Sequence, residues 1–130
     1  MKTLELPREQ WPGFCRRLTE LNRGAIVTVE TQTSPGPSRL LAEGETLHSM
    51  VFDDESDACN GLIILETADT GHRPQQHRII EPIHIRLKNG NNNRYNHIEI
   101  IAENGTMVIT LNPGLGFVDD YAKTADQAMR

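Results

Sequence analysis

A chain of 130 residues, 37% hydrophobic and 24% charged with a formal net charge of −5, has the size of one domain and can bury a core without disulfides or metals. Its two cysteines, Cys15 and Cys59, exclude a disulfide framework, and no uncharged apolar run approaches the roughly 20 residues that span a bilayer. The charged stretch Met1 to Glu9 leads into no apolar segment, so neither secretion nor membrane insertion is expected and the expected compartment is the reducing cytoplasm.

In chain order, the first element is a helix over about residues 7–23. Trp11, Phe14, Cys15, Leu18 and Leu21 recur at helical spacing, with Arg16, Arg17, Glu20 and Arg23 elsewhere around the helix, the pattern of an amphipathic helix packed on a core. Pro7 suits a first helical position, Glu9 the positive N-terminal end and Gly24 a left-handed C-terminal cap. Pro12 removes a ladder bond, so the ordered helix is expected to begin near Trp11 or Pro12.

A β-meander over about residues 25–112 follows. Ala25 to Thr31 is rich in β-branched residues and leads into a turn at Ser34, Pro35, Gly36 and Pro37; a second strand, bent at Gly44, runs from about Arg39 to Phe52. The unbroken apolar run Leu62 to Leu65 predicts a central strand covered on both faces. Ile83, Ile85 and Leu87 alternate with His84, Arg86 and Lys88, a strand with one wet face whose start or edge is marked by Pro82. Asn104-Gly105 predicts a two-residue hairpin turn, which places Ala102 opposite Met107, Ile100 opposite Ile109 and Ile98 opposite Leu111. The tail over residues 113–130, with Phe117, Tyr121 and Ala122, is compatible with a short docked helix or a frayed end.

One helix followed by five or six antiparallel strands defines a single α+β domain over residues 1–130, either a bent sheet or a small closed barrel. In the order and length of its elements the chain is similar to Sm-like and SH3-like small barrels. The polar loop motifs with which Sm-like proteins hold RNA are absent from the sequence, so that similarity of shape transfers no RNA binding. The opening Leu6-Pro7-Arg8-Glu9-Gln10-Trp11-Pro12, with Phe14 and then Ile26 to Glu30, resembles that of a family of small bacterial domains of unknown function. The resemblance implies a bacterial origin and a β-rich remainder, and it carries no functional residue.

Charge is unevenly distributed along the chain. Ala42 to Asp69 holds eight acids and no Lys or Arg, whereas Thr70 to Ile98 holds five Lys or Arg and only Glu81 as an acid, with His72, His77, His84 and His97 adding positive charge as pH falls. Arg86, Lys88 and Arg94, with Tyr95 and His97 nearby and the polar loop Asn89 to Asn93, form a candidate surface for an anion, a nucleic acid or a protein partner. Against a nucleic acid stands an acidic chain, with a pI of about 5.5, and basic and acidic strands that neighbour each other satisfy the same pattern.

Other chemistries find no support. The acidic run Asp53, Asp54, Glu55 and Asp57 lacks the glycine and the terminal carboxylate of a calcium loop, since Ala58 and Ile64 stand there. No histidine or cysteine pair has zinc-site spacing, Cys59 lies among acids that disfavour its thiolate, and Cys15 belongs to the helix's apolar stripe. No catalytic residue, cofactor or metal is expected. The leading expectation is a non-enzymatic protein-binding or self-assembly module, the second a nucleic-acid-binding Sm-like small barrel, and the third an enzyme whose pocket the sequence does not reveal.

Overall fold

A computed structural model of the chain describes residues 3–33, 36, 38–53, 61–89, 95–103 and 105–112. The turn residues Ser34, Pro35 and Pro37, the run Asp54 to Asn60 with Cys59, the loop residues 90–94, Asn104 and the tail from Pro113 lie outside the described residues.

The chain enters through a short strand, β1 (Thr3–Leu6). Pro7 then starts a 3-10 turn (Arg8–Gln10) that runs into the helix α1 (Trp11–Asn22). Pro12 sits within the first helical turn, where N–H groups have no intrahelical acceptor, so its missing donor costs the ladder nothing. After Asn22 the chain turns through Gly24, at φ +89°, whose N–H donates to the Leu47 carbonyl at 2.8 Å.

Seven further strands follow: β2 (Ile26–Gln32), β3 (Ser38–Asp53), β4 (Leu62–Ala68), β5 (Pro74–Ile80), β6 (Pro82–Asn89), β7 (Tyr95–Ala102) and β8 (Gly105–Asn112). All pair antiparallel in one sheet of order β1-β6-β7-β8-β2-β3-β4-β5. The α+β class with a bent sheet holds, with eight strands in place of five or six. The sheet does not close into a barrel, because β1 and β5 stand at its two ends and do not pair with each other.

Alternation along the strands sends one face into a common core. Val27 and Val29, Leu47 and Met50, Ile63 and Leu65, Ile85 and Leu87, Ile98 and Ile100, and Ile109 and Leu111 are all buried, together with Trp11, Phe14, Cys15 and Leu18 of the helix. Leu21, on the same helical stripe, is exposed. The Trp11 ring meets Phe52 edge-on with centroids 5.3 Å apart, and its indole Nε1–H donates to the Leu6 carbonyl at 3.0 Å, which ties β1 to the helix. The Met50 N–H donates to Thr19 Oγ1 at 3.0 Å, and this joins the helix to β3.

Three local expectations are corrected. The β7–β8 hairpin pairs Ala102 with Gly105, Ile100 with Met107 and Ile98 with Ile109, so Glu103 and Asn104 connect the strands in place of Asn104-Gly105. The change moves the register by two residues, and a shift of two leaves every side chain on its expected face. Gly105, at φ +149° with a virtual Cβ only 2.8 Å from the Gln32 carbonyl oxygen, serves as a strand residue in close contact with β2 rather than as a turn residue. On β6, an irregular register between Pro82 and His84 buries Pro82 and exposes Ile83. Strand β4 has neighbours on both sides, but Leu62 and Ile64 are half-buried, so only one face is fully covered.

Candidate functional site

The candidate residues of the basic strand lie on the face of the sheet away from the core. Register places Glu5, Arg86 and Glu99 in one row across β1, β6 and β7, and Lys88 beside His97 in the next. Arg86 Nε donates to Glu5 Oε1 at 3.0 Å, His84 Nδ1 lies 3.2 Å from Glu5 Oε2, and Lys88 Nζ donates to Glu99 Oε2 at 3.0 Å. His97 Nδ1 is 3.0 Å from Thr110 Oγ1. The structure thus brings Arg86, Lys88 and His97 together, while Arg94 lies outside the described residues and Tyr95 is placed only as the strand residue opposite Asn89. The Arg86 hydrogen bond, with help from His84, holds the Glu5 carboxyl below its ordinary pKa, so the pair stays charged to acid pH. An anion arriving at this face meets Glu5 and Glu99 as well as the cations.

Three antiparallel neighbours hold a second polar group on the core side. Thr67, fully buried on β4, donates its hydroxyl to Glu45 Oε1 at 2.6 Å and lies 3.3 Å from His77 Nε2. Burial lowers the His77 pKa, and the Glu45 carboxylate partly opposes that shift.

The opposite end of the sheet carries the most open geometry. Strand β5 is its last member, and among the described residues no strand pairs with its far side. Sequence reading missed this strand, although a turn signal precedes it: the Asp69 carboxylate accepts the N–H groups of Gly71 and Arg73, each at 2.9 Å, as a short acidic side chain does in a tight turn. The bend of the sheet carries the end of β5 towards the β2 and β7–β8 ends. A cleft of about 290 Å³ remains between them, lined by Thr31 to Thr33, Arg78 to Ile80, Ala102 and Gly105 to Met107. Among the described residues of that lining Arg78 is the only ionisable one, so they offer no acid–base pair. A second groove, about 350 Å³, runs between α1 and β3 past Cys15. Burial pushes the Cys15 thiol up to about 12, far from the range of a nucleophilic thiolate. Among the described residues no three His, Cys, Asp or Glu side chains are grouped to hold a metal ion, and no helix is long and apolar enough to cross a membrane.

A model of a family of unknown function (DUF5335) matches residues 2–113. Comparison with curated proteins and with solved structures finds no match.

Proposed function

The chain belongs to this family of unknown function, and from that premise we propose that it is a non-enzymatic protein-contact module of the bacterial cytoplasm that adds a strand of its partner to the open edge of β5. The observation that carries the reading is the position of β5 at the end of an eight-stranded sheet, with its far side unpaired among the described residues. Such an edge presents main-chain donors and acceptors to an incoming strand. Its outward side chain Ile80 is 57% exposed, which gives that strand an apolar anchor. The cations of β6 support the same reading from the other side, since Arg86 and Lys88 already hold Glu5 and Glu99 and an anionic polymer gains little from them.

Affinity capture with the intact chain and with an Ile80→Lys variant tests the proposal, because a lysine on an edge strand opposes strand addition without disturbing the core. A partner retained by the parent chain and lost from the variant is the expected result. Equal retention by both, or retention only of nucleic acid that salt releases and Arg86→Glu abolishes, overturns it.

A further inference from the structure

Among the described residues β1, the first half of β3 and β5 each lack a strand neighbour on one side, and these edges differ in regularity. Strand β1 is only four residues long. The first half of β3 pairs with β2 alone, through two register shifts and with Gly44 at φ +68°, and bulges of this kind twist an edge away from regular pairing. Strand β5, by contrast, pairs with β4 over seven residues, from Leu62↔Ile80 to Ala68↔Pro74, without a shift.

Two hydrogen bonds fix the phase of β5. Glu81 N–H donates to the Gly61 carbonyl at 3.0 Å and Asp69 N–H donates to the Arg73 carbonyl at 3.1 Å. In an antiparallel ladder bonded pairs alternate with non-bonded ones, so the odd-numbered residues of β5 bond to β4. The even-numbered residues, Pro74, Gln76, Arg78 and Ile80, turn their main-chain groups to the open side. Pro74, which has no N–H, falls at an outward position where β4 loses nothing.

Building on the β5-edge reading, we propose that the strand received there is β5 of a second copy of this chain, antiparallel about a twofold axis at His77. That register sets Gln76 opposite Arg78 of the second copy and Pro74 opposite its Ile80, so all four outward residues find partners. Charge selects it. With the axis at Arg78 the two guanidinium groups face each other, and with the axis at Gln76 the exposed Ile80 falls opposite His72, outside the strand. On the outer face Ile80 sits beside Leu62 and packs against Pro74 of the second copy, which covers part of the apolar strip that Val51 and Ile64 continue. The resulting sheet runs continuously through sixteen strands, twice the eight of one chain.

Sedimentation of the full chain across a concentration series at physiological salt tests the pairing, with Gln76→Glu and Gln76→Lys as paired variants of an exposed position. The twofold axis repeats each cross-strand contact, so Gln76→Glu is expected to tighten the dimer and Gln76→Lys to weaken it, each roughly 2- to 30-fold in dissociation constant. Amide exchange should slow at Gln76, Arg78 and Ile80 as the dimer forms. A chain that stays monomeric throughout, or a dimer to which the two variants do the same thing, overturns the self-pairing. A monomer that still captures a partner in an Ile80-dependent way separates the two ideas, since self-pairing then falls while strand addition at β5 stands.

Discussion

At the scale of single residues, Trp11 concentrates more of the structure's interactions than its place in the sequence announces. Its ring is buried against Phe52, the Arg8 guanidinium lies 5.1 Å from the ring centroid, and its N–H holds the Leu6 carbonyl. Trp11→Ala therefore leaves a cavity and an unsatisfied carbonyl together, and denaturant unfolding should report a loss of about 3–5 kcal/mol. Cys15 gives a simpler expectation: in the native protein its buried thiol should resist alkylation until denaturant opens the fold. His77 makes stability depend on pH. Its native pKa is lowered, chiefly by burial, so between its unfolded value of about 6.5 and the lower native one the unfolded chain binds more protons. The stabilisation is complete above the unfolded value and is lost as pH falls through the window below it. His77→Gln should flatten the dependence of the unfolding midpoint on pH in that window.

Elements differ in how far they can be read from residue order. The helix is legible because its period and its prolines agree, and the outcome at Pro12 follows from which N–H groups a helix leaves free. The inner faces of β7 and β8 are legible for a similar reason, since alternation alone decides them. Their register is not, because it depends on the close approach of Gly105 to Gln32 on a strand distant in sequence. Nuclear Overhauser contacts between α-protons should link Ile101 with Thr106 and Glu99 with Val108, the non-bonded pairs of this register, and a contact of Ile100 with Ile109 would return the turn to Asn104-Gly105. Strands β1 and β5 are hard to read from residue order for different reasons: Thr3, Leu4, Glu5 and Leu6 of β1 alternate but over only four residues, and β5 is polar through Gln75, Gln76, His77 and Arg78. Each is made a strand by its neighbour rather than by its own composition. Of the candidate surface, the clustering of Arg86, Lys88 and His97 was visible in the sequence, whereas Glu5 arrives from 81 residues away in the chain and no local pattern announces it.

For the whole molecule, an N-terminal strand closes one end of the sheet and supports the helix through a single carbonyl. A chain shortened by residues 1–6 loses the buried Leu6 and the half-buried Leu4, uncovers β6, and removes the acceptor of the Trp11 N–H. Thermal and urea unfolding should show a loss of about 2–5 kcal/mol, the buried leucine at about 1.5–3 kcal/mol and the half-buried one at about half that. The outer-face ion pairs bear much less of the load. Glu5 is half exposed, so Glu5→Gln should cost only about 0.2–1 kcal/mol near neutral pH. Because the native pKa of Glu5 is lowered, that difference should vanish as pH falls below its ordinary carboxylate value and through the native one.

The strand order also sets a timetable. Residue 3 must find residue 88 to seat β1, and residue 32 must find residue 106 to join β2 to β8, so both seams wait on chain closures across most of the molecule. Loop closure of that span is entropically unfavourable before any contact repays it, and domains dominated by such pairings fold in milliseconds to seconds rather than microseconds. While β8 is still unplaced, the edges of β2 and β7 that it later covers stand open in the unfinished molecule, and it is in that interval that neighbouring chains compete for them.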